Sequence, residues 1–294
     1  MGRVNARLLG PLEVHVGRGA ITLGGRAQRA LLARLLLDRN RTVAVDRLVD
    51  DLWGADVPST AVKMVQIQVS RLRKVLPGGT LVTRAPGYAV QIEPEALDLV
   101  RFERLREQGW AALVRGSAEE AADHLREALA LWRGPALAEF DEPFAAIESR
   151  RLEELRLACL EDRIKADLVL GRHALLIGEL AALVAHESLR ERLRRALMLA
   201  LYRSGRHAEA LAGYRQFRQM LAGELGIETS PALRELERRM LQQDPTLDMS
   251  AGHRTAGSEA LRCTSARPWR GGRCRATLQV RRAAPAKQGR RRNP

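Results

Sequence analysis

Between residues 58 and 92 the chain gathers side chains suited to one chemistry, hydrogen bonding to a polyanion and to the edges of paired bases. Lys63, Gln66, Ile67, Ser70, Arg71, Arg73 and Lys74 lie in a stretch that Pro58-Ser59-Thr60 opens and Pro77-Gly78-Gly79 closes. The spacing predicts a helix over Ser59–Leu76. At about 100° per residue, Ala61, Val62, Val65, Val69, Leu72 and Leu76 share one face, while Lys63, Ile67, Ser70 and Lys74 centre the opposite one. Gln66, Arg71 and Arg73 flank that second face. Arg71 or Arg73 suits a bidentate pair to guanine O6 and N7, Gln66 suits adenine and Ile67 a thymine methyl, whereas Lys63, Lys74 and Arg84 suit phosphates. The competing reading of Arg71, Arg73 and Lys74 is a plain solvated helix face. Arg26 and Arg29, at the start of an earlier helix, suit a phosphate near that helix N-terminus or serve as solubilising charge.

These side chains need a frame, and the preceding residues predict one. Ala6–Val16, punctuated by Gly10-Pro11, and Ile21-Thr22-Leu23 have the composition of short strands. Gly24-Gly25 opens a broadly apolar helix from about Arg26 to Asp38. Val43-Ala44-Val45 is a short β segment, and Asp46 is the candidate N-cap of a helix that stops at Gly54. After the long helix, Leu81–Arg84 and Tyr88–Ile92 predict a hairpin, with Pro86-Gly87 in a type II turn and Arg84 near the tip. Two helices, a third with a basic face and a terminal hairpin predict a winged helix-turn-helix.

Beyond about Glu95 the periodicity is helical to Leu241, with turns at Gly116-Ser117, Arg133-Gly134-Pro135, Gly171-Arg172 and Gly205-Arg206. Leu170-Gly171-Arg172-His173-Ala174 recurs as Ser204-Gly205-Arg206-His207-Ala208, a 34-residue spacing that belongs to tetratricopeptide repeats. Such hairpins must stack to hide their apolar faces, which predicts a short α-solenoid. The fold class expected is therefore mainly α, an N-terminal α+β winged helix-turn-helix followed by a tetratricopeptide-like α-helical domain. Residues 1–93, 95–245 and 246–294 form the expected DNA-binding domain, helical domain and basic tail without a fold of its own.

The charge distribution agrees with that division. Of the net +14, residues 1–93 carry +7, residues 94–245 carry −3 and residues 246–294 carry +10. A basic segment gains from phosphates through counterion release, and an acidic one does not. No long apolar run predicts a membrane span, and Met1–Gly10 lacks the pattern of an export signal, so a cytoplasmic protein with no membrane partner is expected. The three cysteines, Cys159, Cys263 and Cys274, are too few and too uneven for a disulfide framework. Cys263 and Cys274 with His253 lack zinc spacing, and Cys159 fits a small buried hydrophobe. None of the four lysines follows a glycine, which excludes a Walker-type phosphate loop. His186-Glu187 lacks the second histidine of a zinc protease, and no Gly-x-Ser-x-Gly elbow occurs. Neither an enzyme nor a bound cofactor is expected.

Further segments carry a resemblance. Leu8-Leu-Gly-Pro-Leu-Glu-Val14, Val45-Asp-Arg-Leu-Val49 with Leu52-Trp-Gly54, Val69-Ser-Arg-Leu-Arg-Lys-Val-Leu76 and Val82-Thr-Arg-Ala-Pro-Gly-Tyr88 resemble the SARP family of actinobacterial antibiotic regulatory proteins. So do Ala130-Leu-Trp-Arg-Gly-Pro-Ala-Leu137 and Glu224-Leu-Gly-Ile-Glu228, and the likeness covers about residues 6–245. The resemblance implies an OmpR-like winged-helix domain and a bacterial transcriptional activation domain. It implies a pathway-specific activator that binds direct repeats of double-stranded DNA near the promoter −35 element and recruits RNA polymerase holoenzyme. A homodimer or tandem assembly on DNA is expected with it. Transferred residue by residue, the recognition helix is Ser59–Leu76, with Lys63, Gln66, Ser70, Arg71, Arg73 and Lys74 as contacts. The wing is Leu81–Ile92, which adds Thr83, Arg84 and Tyr88. Residues 246–294 depart from the family.

Overall fold

The structure is a computed structural model and describes residues 4–248. Strands β1 (Val4–Arg7), β2 (Glu13–Val16) and β3 (Gly19–Ala20) form an antiparallel sheet in the order β1-β2-β3. The stretch expected as one punctuated strand is thus two, because Gly10, at φ +133°, turns the chain between them. The third strand is Gly19–Ala20 in place of Ile21–Leu23, and Ile21 meets the sheet only through its N–H to the Val14 carbonyl.

Helix α1 (Arg26–Leu37) is the buried scaffold: Ala30, Leu31, Leu32, Ala33, Leu35 and Leu36 all face the interior. Strand β4 (Val43–Ala44) leads directly into α2 (Val45–Trp53), so Ala44 occupies the N-cap position and Asp46 sits one residue inside the first turn. There the Asp46 carboxylate still lies at the favourable end of the helix dipole. Helix α3 (Ala61–Val75) starts two residues later than the sequence suggests. Strands β5 (Leu81–Arg84) and β6 (Gly87–Val90) form the hairpin, and β4 joins them in the order β4-β6-β5. Arg84 pairs with Gly87, leaving Ala85-Pro86 as the turn, and the Ala85–Pro86 peptide is cis. The expected type II turn is therefore absent, and Gly87 belongs to the strand. It is glycine for another reason: a Cβ there would stand 1.8 Å from the Val43 carbonyl oxygen, so the β4–β6 pairing requires its absence.

The remaining elements are helical: α4 (Asp98–Val114), α5 (Ala118–Ala130), α6 (Pro143–Val169), α7 (His173–His186), α8 (Glu191–Arg203), α9 (His207–Met220) and α10 (Pro231–Leu241). The 34-residue repeat has a structural counterpart. At the ends of α6 and α8 the glycines Gly171 and Gly205 both adopt φ +77°. The Arg172 N–H donates to the Asp167 carbonyl and the Arg206 N–H to the Leu201 carbonyl, both at 2.9 Å. Gly116 ends α4 in the same way, with Ser117 N–H donating to the Ala112 carbonyl. All three are Schellman turns, in which a left-handed residue lets the chain fold back into a second antiparallel helix. His207 stacks on Tyr202 with ring centroids 4.3 Å apart, a packing role at the turn. Cys159 is fully buried, and burial pushes its thiol up to about 12.

The turn expected at Arg133-Gly134-Pro135 is part of a longer break: residues 131–142 leave the helical path between α5 and α6. Packing is continuous across residue 94. A single hydrophobic core joins Leu8, Leu31, Leu48, Val69 and Leu72 to Leu97, Phe102, Leu125, Phe144 and Leu152. Two smaller cores lie farther along, one centred on Ile164, Leu180 and Leu193 and one on Tyr214, Phe217 and Leu236. Helix α6 contributes to the first large core and to the Ile164 core. No helix among the described residues is long and apolar enough to cross a membrane. Of the tail expected over 246–294, Thr246 and Leu247 belong to a 3-10 turn (Pro245–Leu247) that buries Leu247, while Cys263, Cys274, His253 and the rest from Met249 onward lie outside the described residues.

Candidate nucleic-acid interface

Helix α3 buries Ala61, Val65, Val69 and Leu72 against the core and exposes Lys63, Gln66, Ile67, Ser70, Arg71, Arg73 and Lys74. Val62, expected inside, is 46% exposed. It stands about 60° around the helix from Val65, at the margin of the buried stripe. The outward face carries no acidic residue, because α3 contains none from Ala61 to Val75. Among the described residues no carboxylate pairs with Lys63, Arg71, Lys74 or Arg84. Ile67, at 41% exposure, is the apolar member of this face.

Arg73 is placed differently from its neighbours. Its Nε donates to the Leu81 carbonyl at 3.1 Å and its Nη2 to Thr83 Oγ1 at 2.6 Å. The guanidinium carbon lies 6.0 Å from the centre of the Tyr88 ring. Arg73, Thr83 and Tyr88 therefore tie α3 to the hairpin. Arg84 is exposed at the end of β5 beside the turn.

Arg26 and Arg29 depart from expectation. Arg26 pairs with Asp141 at 2.6 Å and with Glu142 at 3.1 Å, and Arg29 pairs with Glu139 while also donating to the Leu12 carbonyl at 3.0 Å. The hydrogen bonds that Arg26 donates to Glu142 and Asp141 raise its pKa. Both guanidinium groups face carboxylates of the 131–142 segment, which corrects their reading as cations awaiting phosphate.

That segment, invisible as a site in the sequence, fastens the winged helix to the helical region. Trp132 packs edge-on against Phe102, with centroids 5.4 Å apart. Arg133 donates its backbone N–H to the Leu9 carbonyl at 2.8 Å and its Nη1 to Glu13 at 2.8 Å. Glu139 accepts from the Leu12 N–H at 2.5 Å. At the start of α4 the buried Asp98 carboxylate accepts from the N–H groups of Leu8 at 2.7 Å, Leu9 at 3.0 Å and Leu99 at 2.8 Å. Burial raises its pKa, and those three donors with Arg133 oppose the shift. Within the winged helix Arg34, itself buried, ties α1 to α2 through Asp51 at 2.5 Å. Glu-Phe-Asp-Glu between two prolines was the available signal for the strap, but only the three-dimensional contacts connect it to Arg26 and Arg29.

Residues 20–90 match the family described as transcriptional regulatory protein, C terminal, and residues 97–241 match the bacterial transcriptional activator domain. The regulatory protein AfsR of Streptomyces coelicolor is 46% identical over 263 residues, 89% of this chain and 26% of AfsR. This chain thus spans about a quarter of that relative's length. The regulatory protein DnrI of Streptomyces peucetius is 38% identical, over 82% of this chain and 93% of DnrI. Among solved structures, Mycobacterium tuberculosis EmbR in complex with a low affinity phosphopeptide superposes with a TM-score of 0.79 at 36% identity, covering 83% of this chain and 66% of that one. With both domains matched in order and nearly the whole of DnrI aligned, the chain belongs to the SARP family of regulatory proteins.

Proposed function

We propose that the protein is a sequence-specific DNA-binding transcriptional activator of a secondary-metabolite gene cluster. The observation that carries this reading is the outward face of α3, where Lys63, Arg71 and Lys74 lie beside Gln66, Ile67 and Ser70 without a carboxylate partner among the described residues. In the major groove, Arg71 and Gln66 address base edges and Ile67 a thymine methyl, while Lys63, Lys74 and Arg84 address phosphates. Arg73 and Thr83 act chiefly on the wing, with Tyr88 behind them. Relatives named as transcriptional regulators, including RedD of Streptomyces coelicolor at 38% identity, support the regulatory role.

In this reading winged helices bind direct repeats near a promoter −35 element as a homodimer or tandem assembly, and the helical region meets RNA polymerase holoenzyme. The repeat spacing would follow the DNA turn of about 10–10.5 base pairs. Gel shift on promoters of the chain's own gene neighbourhood tests the core of it. The parent protein discriminates such promoters from scrambled DNA, and Arg71→Ala loses about 1–3 kcal/mol on the preferred site with relaxed choice at one base position. Undiminished binding by that variant would remove α3 as the reading helix.

A further inference from the structure

A cleft of about 290 Å³ lies between the second half of α6 and the facing side of α8, remote in sequence from the recognition helix. Ile164, Leu168, Leu193, Ala196 and Leu199 give it an apolar floor. Lys165, Arg195 and Arg203 also line it, and no carboxylate lies within ion-pair distance of any of the three among the described residues. Arg203 is the telling member. Its Nε donates to the Leu247 carbonyl at 2.8 Å and its Nη1 to the Leu168 carbonyl at 2.7 Å, so its charge faces neutral oxygens in a half-buried position. Burial lowers its pKa, with only Asp248 acting the other way.

Polar contacts mark the two ends of the cleft. At one end Arg192 bridges Glu161 at 2.7 Å and Asp162 at 3.1 Å; at the other Arg203 joins α8 to the end of α6. From Glu161 to Val169 the helix rises about 12 Å, so the cleft has the length of a short acyl chain. An apolar floor under uncompensated cations complements one ligand class, a compact amphipathic anion.

We propose that this cleft is a binding site for a small amphipathic carboxylate, its aliphatic body on Leu168, Leu193 and Leu199 and its carboxylate held by Lys165 and Arg195, with Arg203 at the far end of the cleft. This site is independent of the DNA-reading proposal. Its occupancy would add contacts between α6 and α8, the two helices whose packing connects the large core to the repeats beyond it.

Isothermal titration of the full chain with sodium decanoate is the test. One saturable site is expected, with acetate and decyltrimethylammonium each at least tenfold weaker. Because Lys165 and Arg195 are exposed, Lys165→Glu with Arg195→Glu should leave unliganded melting unchanged and weaken decanoate at least tenfold. Ala196→Trp, which fills the floor, should abolish binding. Overturning results are no saturable heat, equal binding by decyltrimethylammonium, or undiminished affinity in the charge-reversed variant. Tighter binding of an acidic amphipathic peptide than of decanoate would assign the cleft to a protein and equally overturn the proposal. Should Ala196→Trp not fold, the charge-reversed variant alone decides.

Discussion

Two groups of cations in the winged helix invite comparison: Arg26 and Arg29 on α1, and Lys63, Arg71 and Lys74 on α3. Both groups stand on helices whose other face is buried, and both were candidates for DNA contact from sequence. In the folded chain the first group is held by Glu139, Asp141 and Glu142, whereas the second meets no carboxylate among the described residues. The difference does not arise in either helix. It arises some 110 residues downstream, where an acidic strap between α5 and α6 pairs with the cations at the start of α1 and, among the described residues, with none on α3. Charge in a sequence therefore states how many cations exist, and tertiary structure decides which remain available.

The largest way to disturb this arrangement is to remove the carboxylate beneath it. Asp98→Ala leaves the N–H groups of Leu8, Leu9 and Leu99 without their acceptor in a buried position, and a loss of about 2–4 kcal/mol is expected in urea unfolding. If stability were unchanged, the junction would not be a structural element. Next in size is Arg73→Ala, which uncouples α3 from the wing; promoter affinity should fall about tenfold, or ~1.4 kcal/mol, and amide exchange should rise across 81–90. Faster exchange without weaker binding would show that the wing contributes nothing to DNA contact. Smallest is Arg26→Ala. Its pair with Asp141 is exposed, so unfolding in urea should hardly change, with DNA affinity preserved.

Much of the architecture was legible before the fold was seen, and the exceptions have physical causes. The α3 face was readable because helical periodicity separates Val65, Val69 and Leu72 from Lys63, Ser70 and Lys74 over four turns. Val62 failed because wheel positions at the edge of a stripe depend on what packs there. The repeat at Gly171 and Gly205 was visible because a left-handed turn favours glycine at the same place in each hairpin. The wing turn was misread because Pro-Gly satisfies a type II turn locally, while the tight approach of Gly87 to Val43 is decided by strand pairing more than forty residues apart. Asp98, Glu139 and Arg73 escaped as structural ties for a similar reason. Their partners Leu8, Arg29 and Thr83 are set by the fold, and for the first two by contacts across 90 or more residues.

The most direct measurement is the salt dependence of promoter binding by the parent, by the Lys63→Ala, Lys74→Ala double variant and by Arg26→Ala. Each lost phosphate contact lowers the slope of log affinity against log salt by about one, so the double variant should fall by about two and Arg26→Ala should match the parent. A double variant with the parental slope, or an Arg26→Ala protein whose slope drops instead, would contradict the assignment of α3 as the DNA-facing element.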